Sequence, residues 1–400
     1  MIVAFGTYDA ARHPRVGVLV AGLRAHGHDV VELDRPLGFT TAERVRMLRE
    51  PWRLPLLALR LLACWAALVR DALALRARRG APRAVVVGYL GHFDVLLARV
   101  LYPRTLLVLD HLVFAGDTAT DRGARGLRVR LLRLLDRAAT RAADVVVTDT
   151  AEHRAMLRDP GKGVVVPVGA PDAWFAAGES DAAAGSPAPG GPLRVVFFGL
   201  YTPLQGAPVI ARALALAAAA GTPLEVSMIG TGQDLTATRA AVDAAVPRDA
   251  SVRVTWHDWV EPDALPAVVA GHHVCLGIFS DTPKGLRVVP NKVFQGLAAG
   301  RVVVTSDTAP QRGLLGDHLE LVPPADPAAL AAQLAELTDP ARYAAAATRA
   351  RAGRDAVRPE AVVEPLLARL SEEHPSDGRL SEEPLSAARR RPRGQRGGAA

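Results

Sequence analysis

The sequence predicts an α/β protein built from two Rossmann-like domains, each with a doubly wound parallel sheet. Short apolar runs typical of buried strands alternate with longer helix-like runs and with turns rich in Gly and Pro along most of the 400 residues. The alternation starts again after a stretch rich in Ala, Gly and Pro near the middle of the chain. With 50% hydrophobic residues, the chain has enough apolar side chains to fill two cores.

Changes in composition divide the chain into five segments. We expect an N-terminal domain over 1–175, a flexible linker over 176–192, a second domain over 193–350, closing helices over 351–370 and a disordered basic tail over 371–400. The linker prediction rests on ESDAAAGSPAPGGP, residues 179–192. The last twelve residues contain five arginines and no acid, so they carry most of the net charge of +7. This distribution indicates a basic tail on a nearly balanced body, and no nucleic-acid partner is predicted.

Several classes of site and location are disfavoured by what the sequence contains. Cys64 and Cys275 both lie in apolar runs, which is typical of buried thiols in a reducing compartment. The longest apolar stretch, 54–75, includes Arg60 and Asp71, so it is a poor membrane span. The first residues form a strand with no export signal. We therefore expect a cytoplasmic protein with no metal, since neither Asp-x-Asp nor a Cys/His group at metal spacing occurs.

The predicted N-terminal domain carries polar residues on the loops that follow its strands. The first strand ends at Gly6, which permits a tight turn, and Arg15 follows near the start of the next helix. Loops after parallel strands meet at one edge of a sheet, where ligands bind. The polar residues on the later loops are His92, Asp94, Asp110, His111, Asp117 and Asp121. Any one of them could equally cap a helix or lie at the surface, and the group as a whole predicts a site.

Two segments of this half are both apolar and rich in arginine, 43–79 and 126–143. We favour helices that pack on the sheet with their arginines in water. The alternative is peripheral contact with an anionic membrane, or with a phosphate of a lipid-linked acceptor.

The segment 274–306 predicts a strand, a loop, a helix and a second strand. Lys284, Arg287 and Lys292 bring three cations near the start of the helix, where free backbone N–H groups already favour an anion such as phosphate. Asn291 is the expected N-cap, and Gln295 lies on the same helical face, where its amide can bind sugar hydroxyls. From spacing alone, an ordinary βαβ unit with a solvated basic loop is an equal alternative.

This segment resembles the donor-site segment of glycosyltransferase family 4, whose members are retaining enzymes. QGLAAG, residues 295–300, matches the end of the family's E-x7-E signature, with Arg287 and Gln295 in place of its two glutamates. A branch of the family carries K-x-x-R-V-x-P-N-K-V-x-Q, which residues 284–295 match closely. The resemblance implies the GT-B fold, in which two Rossmann-like domains face each other across a cleft. Residues 164–175 also resemble the family's V-P-x-G-x-D-x-x-F.

The resemblance also implies roles for individual residues. We expect Lys284 and Arg287 to stabilise the leaving diphosphate, in place of an Arg and a Lys that the family carries where Leu200 and Gln205 stand here. Either Asp110 or His111 would face the anomeric carbon. The residues implied for donor binding are Gly199, Gln205, Gly230, Gly232, Asp258, Pro290, Asn291, Lys292 and Gln295. Those implied for the cleft and the acceptor are Gly6, Arg15, His92 and Asp117.

The expected function is metal-independent, retaining transfer of a hexose from a UDP-, GDP- or ADP-sugar. The acceptor would be lipid-linked or a polysaccharide, the protein could be peripheral at the inner face of the membrane, and no cofactor is expected. Loss of both signature glutamates leaves two alternatives, a GT-B protein that binds a sugar nucleotide or a partner without turnover, and a sugar-nucleotide epimerase.

Overall fold

The computed structural model describes residues 1–9, 14–38, 52 and 54–373. Two six-stranded parallel sheets form the framework, one in each half of the chain. The strands are β1 (Ile2–Gly6), β2 (Val30–Asp34), β3 (Ala84–Val87), β4 (Leu106–Asp110), β5 (Val145–Thr148), β6 (Gly163–Val165), β7 (Leu193–Phe198), β8 (Leu224–Ile229), β9 (Val252–His257), β10 (Val274–Leu276), β11 (Val302–Ser306) and β12 (Glu320–Val322).

Helices connect the strands and cover both faces of each sheet. In the first half they are α1 (Pro14–Ala25), α2 (Leu54–Arg79), α3 (Asp94–Leu101), α4 (Ala115–Asp121), α5 (Leu127–Ala142), α6 (Ala151–Ala155) and α7 (Asp172–Glu179). In the second half they are α8 (Ala207–Ala219), α9 (Leu235–Ala245), α10 (Leu265–Ala270), α11 (Asn291–Ala298), α12 (Ala309–Leu315), α13 (Pro327–Glu336), α14 (Pro340–Ala352), α15 (Pro359–Val362) and α16 (Glu364–Glu373). The prediction of two doubly wound α/β domains is confirmed.

The N-terminal sheet has the strand order β2-β1-β3-β4-β5-β6. Its central strands are Val- and Leu-rich and fully buried, as both faces of a parallel sheet require. One core, around Leu19, lies beneath α1, and a second, around Leu68 and Leu107, lies on the opposite face. The order reverses between β1 and β3, so the loops after these strands flank a crevice at the carboxyl edge.

The C-terminal sheet repeats the plan with the order β12-β11-β10-β7-β8-β9. Its cores lie on the two faces, one around Phe197 and Leu214 and the other around Phe294 and Val303. Here the order reverses between β7 and β10. The loops after these two strands therefore flank the equivalent crevice of the second domain.

Each domain packs against a helix that comes from the other half of the chain. Helix α7 lies partly within the predicted linker, yet Trp174 stacks on Phe198 of the C-terminal domain with ring centroids 5.7 Å apart. Conversely, Leu366 and Leu370 of α16 complete the core beneath the N-terminal sheet. Each of these short helices carries large apolar side chains, and it buries them against the apolar face of the domain on which it packs.

The two arginine-rich segments are helical where they are described. Helix α2 buries Cys64, Leu68 and Ala72 and leaves Leu59 and Leu62 more than half exposed. Residues 43–51 and 53 of that segment, and 374–400 of the predicted tail, lie outside the described residues. Among the helices that the structure describes, none combines the length and apolar character needed to cross a bilayer.

Candidate active site

The loops after β7 and β10 touch each other at the crevice of the C-terminal sheet. Ser280 Oγ donates to Leu204 O at 2.8 Å, and the Phe279 N–H donates to Gln205 O at 3.1 Å. A Cβ on Gly206 would lie 2.6 Å from Ser280 N, so only glycine permits this approach. The contact fixes the position of two loops that carry predicted donor-binding residues.

Lys292 is buried at this crevice, with 4% of its surface exposed. Its Nζ donates to Gln205 Oε1 at 2.5 Å and lies 3.8 Å from the centre of the Phe197 ring. Burial lowers the pKa of Lys292 to about 7, and the nearby Cys275 thiol opposes this shift. The side chain is therefore a cation that loses its proton near neutral pH, and an anion at the crevice would keep it charged.

Three glycines bring the loops after β7 and β8 together. Gly199 and Gly230 have φ values of 140° and 121°, and a Cβ on Gly230 would lie 2.0 Å from Gly199 O. A Cβ on Gly232 would lie 2.5 Å from Tyr201 N. A Cβ on Gly199 would approach Lys292 Nζ to 3.3 Å. These positions bring the backbone of both loops and the buried ammonium together at the same edge.

The helix that follows the β10 loop begins at Asn291, and its N-cap is Pro290, so the prediction of Asn291 as N-cap is wrong. Pro290 occupies the extended conformation that an N-cap needs, and it has no side-chain acceptor. No side chain caps this helix, so its N-terminal N–H groups are free of such a partner. Asn291 is exposed and Gln295 is half-buried, one helical turn apart.

Lys284 and Arg287 point across the cleft to the N-terminal domain. Lys284 Nζ donates to Thr118 Oγ1 at 2.8 Å, and Arg287 Nη2 lies 2.9 Å from Asp117 Oδ1. Burial lowers the pKa of Lys284, while Asp121 and Asp117 oppose the shift. The cation nearest to Gln205 is therefore Lys292, whereas the sequence suggested that Lys284 and Arg287 replace the cations missing from that loop.

Asp110 ends β4, His111 follows it, and both are almost fully buried. Asp110 Oδ1 accepts from Arg15 Nε at 3.2 Å, and Arg15 also donates to Val166 O at 3.0 Å. Arg15, predicted to line the cleft, makes these contacts inside the N-terminal domain. Burial raises the pKa of Asp110, and the Arg15 guanidinium opposes that shift. Asp110 is thus engaged through Oδ1, while its Oδ2 and the His111 Nε2 are both buried with no hydrogen-bond partner.

His111 belongs to a buried group with His92 and Asp136. His92 Nε2 lies 3.0 Å from Asp136 Oδ1, and the His92 and His111 ring centres are 5.0 Å apart. Burial lowers the pKa of His111 to about 3, and His92 adds to the effect, so His111 is neutral at physiological pH. Burial tends to raise the pKa of Asp136, but hydrogen bonds from His92 and from the Gly116 and Ala115 N–H groups outweigh it and lower the pKa.

These three residues could hold a metal ion. One ligand atom of each lies within 4.8 Å of the others, and this is the one such grouping in the part of the chain that the structure describes. Asp136 already accepts two backbone N–H groups at the start of α4, at 2.9 Å and 3.0 Å. Its carboxylate therefore serves as the cap of that helix, which accounts for its burial without an ion.

The remaining predicted residues lie at the two carboxyl edges. Gly6 ends β1, and Asp94 beside it accepts from the Thr7 N–H at 2.7 Å and from Trp65 Nε1 at 2.8 Å. Asp258 follows β9 and is exposed, next to Trp259, which is 65% exposed. Gly6 therefore lies at the crevice of the first sheet, and Asp258 lies at the edge of the second.

Sequence reasoning missed several residues that the fold brings to the cleft. His153 Nδ1 lies 2.5 Å from Asp149 Oδ1, both buried after β5. Thr150 Oγ1 donates to Arg287 O at 2.8 Å and so joins the domains. The i,i+4 spacing of Asp149 and His153 is visible in the sequence, but their burial beside a cleft depends on the tertiary fold.

Part of the sequence matches a known protein family. Residues 192–339 match the family model described as Glycosyl transferases group 1. The matched residues run from the start of β7 to just beyond α13, in the C-terminal half of the chain. A search of curated protein sequences found no significant match.

Solved structures resemble the chain across both domains. A UDP-forming α,α-trehalose-phosphate synthase from Burkholderia vietnamiensis superposes with a TM-score of 0.60 at 16% identity, over 93% of this chain and 98% of that chain. HepE from Anabaena, in complex with UDP-glucose, gives 0.58 at 13% identity, over 94% and 98%. Sucrose-phosphate synthase from Thermosynechococcus elongatus gives 0.55 at 17% identity, over 79% of each chain. The fold is therefore that of two-domain GT-B glycosyltransferases.

Proposed function

We propose that this chain is a glycosyltransferase that moves a hexose from a UDP-, GDP- or ADP-sugar to an acceptor, with retention of anomeric configuration. The family match over 192–339 and the GT-B fold support this proposal. The HepE structure contains UDP-glucose, and the trehalose-phosphate synthase is described as UDP-forming. Both descriptions favour UDP among the three nucleotides.

The observation that carries the proposal is the position of Lys292. A buried ammonium lies at the crevice between β7 and β10, beside Gly199 and Gln205 and at the start of an uncapped helix. Breaking a glycosidic C–O bond to a nucleotide leaves a diphosphate with growing negative charge. A fixed cation and helix N–H groups stabilise such a charge, and each contact of this kind contributes about 3 kcal/mol to lowering the barrier.

After the domains rearrange, Arg287 and Lys284 would add to the positive charge that stabilises the diphosphate. Both are cations on the loop that leads to Lys292, and both are held by N-terminal residues in this conformation. Arg287 stands where relatives carry the first signature glutamate, and Gln295 stands where they carry the second. Gln295 has an amide that can bind ribose hydroxyls, as a neutral group and hence more weakly than a carboxylate.

On the N-terminal side, His111 is the candidate for contact with the donor sugar. Its neutral ring and unpartnered Nε2 can donate or accept a hydrogen bond, whereas the Asp110 carboxylate is held by the Arg15 ion pair through Oδ1 and has only Oδ2 unpartnered. His111 lies behind Phe114, with ring centres 4.5 Å apart. A movement of that ring would be needed to open His111 to a ligand.

Metal independence and a cytoplasmic site at the membrane are part of the same proposal. The sequence has no Asp-x-Asp, the motif that clamps a diphosphate through a metal in other transferases. Leu59, Leu62, Leu131 and Leu134 are each more than half exposed on arginine-rich helices, which favours a membrane-bound acceptor, lipid-linked or a growing polysaccharide.

The test is release of nucleotide from a panel of UDP-, GDP- and ADP-sugars, with and without EDTA and with candidate acceptors. We expect release from one donor class that survives EDTA, and a product with the anomeric configuration of the donor. Conversion of the donor sugar without any acceptor and without nucleotide release would indicate an epimerase. Tight binding of a sugar nucleotide with no turnover would indicate a binding protein.

A further inference from the structure

A basic cavity of about 710 Å³ lies beside the cleft, between the N-terminal domain and the loop that carries Arg287. Its walls come from α4, α5, the segment after α6 and the loop after β10. Phe114, Met156 and Leu157 form its apolar part. This volume suits a small organic ligand.

Four arginines line the cavity, namely Arg133, Arg137, Arg158 and Arg287. Arg133 and Arg137 lie one turn apart on α5 and so project from the same face of that helix. Arg158 faces them from the segment after α6. Arginines from three separate parts of the chain therefore line one space.

Three of these arginines have no acidic partner in the described part of the chain. Arg287 is paired with Asp117, but no ion pair of Arg133, Arg137 or Arg158 occurs there. The other acid in the cavity wall is Asp136, and its carboxylate is occupied by His92 and by the N–H groups of Ala115 and Gly116. The lining thus holds four arginines against two aspartates, a net charge of +2.

We infer that this cavity binds a phosphate or diphosphate ester, and, on the proposed function, that this ester is the acceptor. Guanidinium groups bind phosphate oxygens through paired hydrogen bonds, and several arginines on one ligand favour a polyanion over a monocarboxylate. The ring of Phe114 and the side chains of Met156 and Leu157 would contact the apolar or sugar part of the ester. The position beside Arg287 would bring it near the donor-side loop.

The direct probe is inorganic pyrophosphate, titrated calorimetrically against the full chain. We expect Arg133→Ala, Arg137→Ala and Arg158→Ala each to weaken binding by about tenfold, because each removes a charge-assisted contact. Arg128→Ala and Arg130→Ala are matched controls, since they are exposed arginines of the same helix, as Arg133 and Arg137 are, and neither lines the cavity. They should bind pyrophosphate as the wild type does.

Three results would overturn the inference. Equal loss in the control and cavity variants would indicate non-specific attraction to the helix. Loss in Lys292→Gln alone would place the pyrophosphate on the donor side. A wild-type chain that does not bind pyrophosphate would contradict a phosphate site in the cavity.

Two further arms identify the source of the phosphate and separate this inference from the proposed function. A soluble hexose phosphate is compared with phosphatidylcholine vesicles that contain a polyprenyl diphosphate, and dependence on the three arginines in either arm supports the cavity and names its ligand. Nucleotide release from the donor by the wild type is measured separately. Arginine-dependent binding without donor turnover would support the phosphate site and contradict the proposed transferase function. Donor turnover without arginine-dependent binding would contradict the phosphate site and support the transferase function.

Discussion

Arg287 Nη2 lies 2.9 Å from Asp117 Oδ1 across the cleft, and this ion pair joins the loop after β10 to helix α4 of the other domain. Lys284 makes a second contact beside it, to Thr118. Both cations that the sequence predicts for the donor diphosphate are therefore bound by the N-terminal domain. If Arg287 is to contact the donor, it must leave Asp117, so donor binding and the arrangement of the domains are coupled.

Asp117→Asn tests this coupling. The substitution removes the charge that competes with the diphosphate for Arg287, so we expect the Kd for the donor to fall by about threefold to tenfold. Asp181→Asn, at an exposed acid in the segment after α7, is the control for a general change of charge. Weaker donor binding in Asp117→Asn would instead mean that Asp117 orients Arg287 for the donor.

Lys292 gives the stability of the chain a characteristic pH dependence. Its pKa is about 7 in the folded chain, against the ordinary lysine pKa of 10.5 that applies once the chain unfolds. Below pH 7 both states are protonated and the full cost of burying the charge remains. As pH rises above 7, the folded state loses the proton while the unfolded chain keeps it, so the free energy of unfolding should rise. Thermal melts from pH 6.5 to 8.5 should show this rise, and Lys292→Met should lack it.

A rise of the same slope in Lys292→Met would show that Lys292 is not its source. The comparison uses the slope with pH and not the absolute melting temperature, because the substitution also changes packing against Phe197.

Gly230→Ala should destabilise the C-terminal domain. The added Cβ would lie 2.0 Å from Gly199 O at a φ of 121°, so both the backbone conformation and the contact between the loops must change. We expect a loss of about 2–4 kcal/mol in the free energy of unfolding, measured by denaturant titration. Gly313→Ala is the control, since nothing lies within 4 Å of its added Cβ and it occupies a helix. A Gly230→Ala variant as stable as Gly313→Ala would contradict the close loop contact.

Trp259 should report binding of the nucleotide base. It is 65% exposed beside Asp258 at the edge where the proposed donor site lies, and its Nε1 donates to Glu261. Stacking of a base on an aromatic ring contributes about 1–3 kcal/mol, so Trp259→Leu should weaken donor binding by about tenfold or more. Tryptophan fluorescence should be quenched by nucleotide in the wild type and much less in the variant. Equal quenching in both would assign the signal to another tryptophan.

The sequence was sufficient for the fold because the fold depends on local patterns. Buried strands such as β3 and β4 are continuous Val- and Leu-rich runs, and glycines such as Gly199 and Gly300 mark where strands and helices end. The returning helices were less predictable. Leu366 and Leu370 have the spacing of an apolar helix face, but nothing local indicates which of the two sheets that face covers.

The site was predictable only in part, for a related reason. The β10 loop and α11 form one continuous stretch, so their cations could be seen together in the sequence. The contact of Lys292 with Gln205 joins residues far apart in the chain, as does the group of His92, His111 and Asp136. Asn291 was misassigned as N-cap because side-chain preference favoured it, whereas the extended backbone places Pro290 there.

The central claim is that this chain transfers sugar from a nucleotide donor whose diphosphate is stabilised by the cations of residues 284–292. The most direct test is nucleotide release from the preferred donor by the wild type, Arg287→Ala and Lys292→Gln. Arg312→Ala is the control, because Arg312 is an exposed arginine paired with Asp307. We expect a fall in kcat/KM of about a hundredfold in the first two variants and none in the control. Turnover that all three variants leave unchanged would contradict the claim.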